Sequence, residues 1–250
     1  MILDILKDLL KTRPVFHSED DFKFALSQKI SEKHQDYELR LERPFDIEML
    51  DKIEKRDKNG NIIKDFVRAP IDIVIIDKDG KYIPIELKYK TKDTKIESTG
   101  IEGDDVYDLA KHGASDIGRV SFRKDIYRIE RFLEFNSEKC KEGFVIILTN
   151  ENEYWDNILE KEILNRRYSF HQDMKIPMED PEWYYEALSK NKYINIHGVW
   201  VYKDNQKKKH WTFDGDLKYQ LNLKKEYEIN WQEYSKIKDS VFKFCLIEVS

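Results

Sequence analysis

Two carboxylates and a lysine stand at a spacing that could do chemistry: Asp72, then Glu86 and Lys88, in a D-x(13)-E-x-K pattern. Asp72 interrupts the run Ile71-Asp72-Ile73-Val74-Ile75-Ile76, whose two faces are both largely apolar. Such a strand is covered on both sides, and an acid within it needs a reason. Asp and Glu oxygens are the ligands Mg²⁺ or Mn²⁺ prefers. A bound cation of that kind activates water at neutral pH and neutralises phosphate charge. A nearby lysine can orient that water or stabilise the transition state. Without a metal, two close carboxylates repel and one pKa rises. The spacing by itself also fits a structural ion pair on a partly solvated sheet face.

Whether Asp72 meets Glu86 depends on the turn between their strands, Ile71–Asp77 and Lys81–Tyr89. A two-residue Asp79-Gly80 loop puts Asp72 opposite Leu87. A three-residue Lys78-Asp79-Gly80 loop pairs Asp77 with Lys81 and sets Asp72 opposite Glu86, with Lys88 next on the same face. The second form suits a type I turn closed by a left-handed glycine. It also keeps Ile71, Ile73 and Ile75 on one face with Ile83, Ile85 and Leu87, so it is the register expected. Glu19 adds a third acid. It lies one position inside a helix predicted to start at Ser18, where Ser18 and Asp21 resemble a capping box. It shares a face with Phe22 and Leu26 and leans toward whatever that helix covers. The helix macrodipole gives an acid there a second reason to exist.

The remaining elements follow from periodicity. Ile2–Leu10 reads as a short helix ended by Pro14, and Phe22, Leu26 and Ile30 form the stripe of the next. Tyr37–Arg43 alternates as a strand, and Asp51–Asn61 is polar with a turn signal at Asn59-Gly60. Thr91–Asp105 is polar and expected to be mobile. Ser115–Phe135 is the strongest helix, with Phe122, Ile126, Ile129 and Leu133 on one side, and Phe144–Leu148 is a buried strand. This order predicts an α/β fold, a mixed central sheet flanked by helices. Residues 1–150 form its core and 151–250 a β-rich C-terminal extension packed on the same domain. In that extension residues 151–191 are partly helical, and Tyr193–Tyr202, Trp211–Phe213, Tyr219–Leu223 and Phe242–Val249 are strands.

Composition narrows the function. In 250 residues, 44 Lys and Arg against 49 Asp and Glu give a net charge of −5, with 40% hydrophobic residues. That excludes disordered and collagen-like chains. No apolar run reaches the ~20 residues of a spanning helix. No signal peptide is read at Met1–Leu10, and two cysteines without CxxC spacing, Cys140 and Cys245, suggest a reducing, cytoplasmic compartment. The charge is uneven: Lys81–Lys95 and Arg119–Arg131 are each locally basic. The long helix places Arg119 and Arg123 at i and i+4, with Lys124 and Arg128 on an adjoining strip, as candidate phosphate contacts; a solvated face is the plainer reading. His112, in Lys111-His112-Gly113, is a further candidate. The other histidines lack zinc spacing. No P-loop or nucleophile-elbow motif occurs. Trp211 and Trp231 read as core residues.

Arg68-Ala69-Pro70-Ile71-Asp72 followed by Pro84-Ile85-Glu86-Leu87-Lys88-Tyr89-Lys90 resembles the PD-(D/E)XK, or restriction-endonuclease-like, nuclease superfamily. Phe16-His17-Ser18-Glu19 opens the first helix as that family does. Asp116-Ile117-Gly118-Arg119, Phe122, Lys124-Asp125-Ile126 and Arg128-Ile129-Glu130 are similar to the following helix in a bacterial branch. Leu148-Thr149-Asn150 with Tyr154-Trp155, and Asn230-Trp231 with Tyr234-Ser235, resemble later landmarks of that branch. The core motifs span residues 16–150. Ile71 separates Pro70 from Asp72 where the family's name has the two adjacent.

The resemblance implies metal-dependent phosphodiester cleavage. It implies Glu19, Asp72, Glu86 and Lys88 as catalytic residues, the three acids as ligands of Mg²⁺ or Mn²⁺, and DNA as substrate, in defence or restriction. A protein partner or a homo-oligomer is compatible with it. The other reading is a nucleic-acid-binding or assembly protein that keeps the fold without cleavage. Retention of all four residues favours the enzyme; the acidic net charge favours the second reading, or a partner that supplies DNA affinity.

Overall fold

The computed structural model describes residues 1–48, 55–56, 59, 62–63, 66–68, 70–100, 103–113, 115–157, 168–179, 193–196, 199–202, 207–208 and 221–250. Its helices form where the sequence supplies an apolar stripe, and the second also has a side-chain cap. In α1 (Ile2–Thr12) the residues Ile2, Ile5, Leu6 and Leu9 are buried, a face at helical spacing. In α2 (Glu19–Lys33) the Ser18 hydroxyl accepts the Asp21 N–H at 3.1 Å. Asp21 in turn accepts the His17 N–H at 2.9 Å and grips Arg13 through both oxygens. That clasp fixes the chain between the two helices. In α3 (Ser115–Phe135) the predicted stripe of Phe122, Ile126, Ile129 and Leu133 is buried.

Six strands form one mixed sheet. They are β1 (Glu38–Arg43), β2 (Ile71–Ile76), β3 (Tyr82–Lys90), β4 (Gly143–Thr149), β5 (Trp231–Ile237) and β6 (Ser240–Val249), in the order β1-β2-β3-β4-β6-β5. Only β3 and β4 run parallel; every other neighbouring pair is antiparallel. A parallel pair needs a long crossover, and here it contains α3. β4 is buried at every position, as a continuous apolar run between two sheet neighbours should be. One core joins α1 and α2 to Ile73, Ile75, Ile85 and Leu87; the other joins α3 to Val74, Val145 and Ile147. Among the described residues no helix is long and apolar enough to cross a membrane.

The β2–β3 turn takes the three-residue form. Ile73 pairs with Ile85 and Ile76 with Tyr82, while Asp77 donates its N–H to the Lys81 carbonyl at 2.9 Å. Gly80 has φ 74°, the left-handed position a side chain would strain. Asp77 Oδ1 accepts the Asp79 and Lys81 N–H groups at 2.9 and 2.7 Å, locking the turn.

Five expectations change. Ile71 packs in the α3-side core with Val74, apart from Ile73 and Ile75, so the expected three-isoleucine face breaks at Asp72. The segment expected to be mobile contains a hairpin, Thr94–Gly100 with Gly103–Leu109. Its buried Ile96, Tyr107 and Leu109 anchor it, and Tyr107 stacks on His17 at 4.3 Å; the intervening charges hid these alternate positions. Near the C-terminus, β5 and β6 complete the central sheet, so that sheet draws strands from both sides of residue 150. Tyr193–Ile196 and Val199–Tyr202 are two paired strands where one was expected. The described end of the expected Tyr219–Leu223 strand, Leu221–Leu223, is irregular. Of the expected turn at Asn59-Gly60 only Asn59 is described, and it is in a turn; the strand Trp211–Phe213 and most of the expected helix in 151–191 lie outside the described residues.

Replacing Gly80 with Ala should cost about 1 kcal/mol, since a Cβ is introduced at positive φ. Urea unfolding measures it, and an unchanged midpoint would refute the left-handed turn.

Candidate functional site

The site begins at a fault in the sheet. The β2–β3 ladder ends at Ile73↔Ile85. Beyond it the Leu87 N–H donates to Asp72 Oδ2 at 2.8 Å, so a side chain takes the place of a backbone acceptor. On the other side of β2, Leu41 pairs with Ile73 and Arg43 with Ile71, which leaves Glu42 level with Asp72. Glu42 has φ 50°. Two adjacent strands therefore deform at one level, and this reverses the facing of Ile71. Lys23 of α2 reaches into the fault, 3.6 Å from Asp72 Oδ1 and 3.0 Å from Asp20, and it pairs with Glu42.

Glu19 and Lys88 close the other side. Glu19 Oε2 accepts the Tyr89 N–H at 2.8 Å, and its Oε1 lies 3.7 Å from Lys88 Nζ. Lys88 Nζ donates to the Leu87 carbonyl at 2.8 Å and lies 3.2 Å from Asp125 Oδ2. Glu86 is 1% exposed, with Oε1 3.1 Å from an Arg128 nitrogen. Arg128 also donates to the Pro70 carbonyl and lies 3.4 Å from Asp125 Oδ1. The structure thus gathers Glu19, Asp72, Glu86 and Lys88 into one charged cluster and adds Lys23, Asp125 and Arg128. Sequence reasoning missed Asp125 as a member and set Arg128 on a strip of candidate phosphate contacts. A signal existed: Asp125 sits at i+3 from Phe122, inside the apolar stripe of α3, and is 0% exposed.

Burial governs the ionisation of the cluster. It pushes the Glu86 carboxyl well above the usual range; Arg128 opposes this while Asp125 and Asp72 reinforce it. Burial also raises Glu19, against the pull of Lys88 and the Tyr89 N–H. For Lys88 burial acts downward, but the carboxylates of Asp125, Glu19, Glu86 and Asp72 outweigh it and hold the ammonium firmly protonated.

Among the described residues no group of three or more His, Cys, Asp or Glu side chains is arranged to hold a metal ion. The donor chemistry nonetheless suits a hard divalent cation. Asp72 and Glu86 bring carboxylate oxygens from adjacent strands, and buried Glu86 Oε1 makes no hydrogen bond.

The expected nucleic-acid strip needs correction. Arg119 and Arg123 are each 1% exposed. Arg119 donates to the Glu153 carbonyl and lies over the Tyr154 ring. Arg123 donates to the carbonyls of Leu221, Pro177 and Met178, each at 2.8 Å. Planar guanidinium groups suit this task, capping carbonyls of irregular chain that has no ladder to join. Lys124 is half-exposed on the same helix. His112 is exposed and apart from these, its Nδ1 accepting the Thr91 N–H at 3.1 Å. Partial burial and then Lys90 keep its imidazole below the usual value. Trp231 is in the core, with its indole N–H on the Phe170 carbonyl; Trp211 lies outside the described residues.

Two outcomes follow. Unfolded Glu86 ionises near 4.5, folded Glu86 well above it, so between those values the fold binds the extra proton and loses stability as pH rises. In EDTA, Glu86→Gln should therefore gain stability relative to wild type as pH climbs from about 4.5 toward neutrality. Paired denaturant titrations across pH measure this, and a pH-independent difference would show an ordinary carboxyl. Arg123→Ala should cost roughly 2–3 kcal/mol, since it empties a buried position, leaves the buried Leu221 carbonyl and the half-buried Pro177 carbonyl without this donor, and leaves the Met178 carbonyl only the Leu223 N–H. A thermal midpoint near that of wild type would return Arg123 to the surface.

Compared with known proteins, the chain matches no family model, no curated protein and no solved structure.

Proposed function

We propose that this chain is a metal-dependent phosphodiesterase with a restriction-endonuclease-like core, of the PD-(D/E)XK kind, that cuts DNA in a cytoplasmic defence or restriction role. The observation that supports it is the meeting of Glu19, Asp72, Glu86 and Lys88, from three separate elements, at the one level where the β2–β3 ladder opens. Asp72, Glu86 and Glu19 would hold Mg²⁺ or Mn²⁺. That cation, when bound, supplies an acidified water and charge neutralisation at phosphate.

The chain's own groups do the rest. The Leu87 and Tyr89 N–H groups each fix one oxygen of Asp72 and Glu19, which orients both carboxylates without protonating them. Lys88, firmly protonated, acts as a donor and fixed positive charge toward the nucleophile and phosphate, not as a base. Asp125 holds its ammonium in place. Arg128 compensates Glu86 within the buried cluster. The buried thiols of Cys140 and Cys245, each pushed up to about 12 by burial, are unreactive and agree with a reducing compartment.

A non-catalytic reading, a nucleic-acid-binding or assembly protein of this fold, draws on the same cluster. Lys23, Lys88 and Arg128 already compensate most of its acids, as a structural ion network would.

Lys88→Ala and Asp72→Ala separate the two. If the cluster is catalytic, Lys88→Ala abolishes Mn²⁺-dependent cleavage of DNA yet retains most metal affinity by calorimetry, while Asp72→Ala loses both. Wild-type protein that binds neither Mg²⁺ nor Mn²⁺ and cuts no DNA or RNA form, with both variants merely less stable, would overturn the enzyme reading.

A further inference from the structure

A second concentration of charge lies at the opposite end of β3. Tyr82, the first residue of that strand, has the Arg43 guanidinium 4.5 Å and the Lys139 ammonium 5.6 Å from its ring centre. Neither cation has a carboxylate partner among the described residues, and Arg43 Nη1 is buried without an acceptor. The three side chains border an open cavity of about 350 Å³, with Phe135, Ser137 and Glu138. Glu138 is exposed at the rim, and its carbonyl accepts from Lys81, a third cation, at 2.9 Å. An adjoining cavity of about 380 Å³ shares Arg43 and Phe135 and is walled by Phe45 and Phe132. Phe135 is 68% exposed, a ring left open beside the cations.

Asp46 and Glu138 also line these cavities, but among the described residues neither pairs with Arg43 or Lys139, and two cations on one phenol without a carboxylate partner are an arrangement that an anion completes. We infer that Arg43, Lys139 and the Tyr82 hydroxyl form a binding site for the phosphate group of a nucleotide or nucleic-acid strand, with Phe135 offering a face to its base. Guanidinium and ammonium groups take phosphate oxygens, and the size of the cavity suits one nucleotide. The phenol is held below its ordinary pKa by a hydrogen bond from Arg43 first and by Lys139 as well, which reports the same positive field. Tyr82 and Glu86 share a face of β3 four residues apart, roughly 13 Å along the strand. The site does not depend on the Glu86 cluster being catalytic.

Calorimetric titration of the full chain in EDTA tests it, using inorganic phosphate, adenosine monophosphate and a short single-stranded DNA as probes. At least one probe should bind wild type, and Lys139→Ala and Arg43→Gln should each weaken it about tenfold. Lys139 is exposed, so its variant carries the test alone should Arg43→Gln fail to fold. Binding of phosphate or the mononucleotide marks a small-molecule source; binding of DNA alone, with a salt dependence shallower in the variants, marks a strand backbone. No binding of any probe, or binding unchanged in the folded variants, overturns the site. Because no probe is cut in EDTA, a failed nuclease assay leaves this result standing.

Discussion

The bond from the Leu87 amide to Asp72 is the constraint on which the rest of the candidate site depends. A sheet interior pairs its amides with carbonyls, and an unpaired buried amide costs about 1–3 kcal/mol. Here a carboxylate takes the amide, which obliges β2 to leave its ladder at that residue and turns Ile71 to the other core. The neighbouring strand follows, with Glu42 in left-handed backbone at the same level. Strain of this kind persists where the surrounding structure over-determines it. Lys23 supplies part of that determination by pairing with both Asp72 and Glu42.

The fault would be ruinous if its charges were unmatched. Glu19, Asp72, Glu86 and Asp125 face Lys23, Lys88 and Arg128, with the more exposed Asp20 and Glu42 also on Lys23, and several of these groups are buried. Removing one partner of such a set leaves a buried charge alone, which costs more than the pair contributes. α3 is what brings the set near balance. Asp125 and Arg128, one turn apart, reach Lys88 and Glu86 respectively and also meet each other. The helix that packs the core thus also sets the electrostatics of the cluster.

Much of this was legible in the residues. The three-residue turn followed from Gly80 and from keeping aliphatic faces together; Ser18 and the 122–133 stripe marked two helices. Asp72 as an intruder in an apolar strand pointed to the site, though alternation could not say that the ladder would break there or that Ile71 would flip. That depends on Glu42, which is distant in sequence and carries no signal of its own. The hairpin of residues 94–109 was hidden because its buried positions, Ile96, Tyr107 and Leu109, are diluted by charged neighbours. Arg119 and Arg123 misled for a general reason. A cation on a helix reads as solvated, and only tertiary structure reveals that irregular chain at 177–178 and 221 needs its carbonyls capped.

That last correction bears on how a polyanion could meet this surface. Of the cations along α3, Arg119 and Arg123 brace the segments after residue 150, and Arg128 turns to Glu86, so the helix does not present them as a row to solvent. A net charge of −5 gives no long-range attraction to a phosphate chain either. Any recognition of phosphate must then rest on local groups whose charge is uncompensated. Among the described residues Arg43 and Lys139 meet that condition, at the start of the same strand face that holds Glu86. In β3 the buried, balanced charges and the open, unbalanced ones are therefore separated along one face, and each set has a different task available to it. The buried set can hold geometry in a dry site, where fixed charges act strongly; the open set can exchange water for an anion at little structural cost.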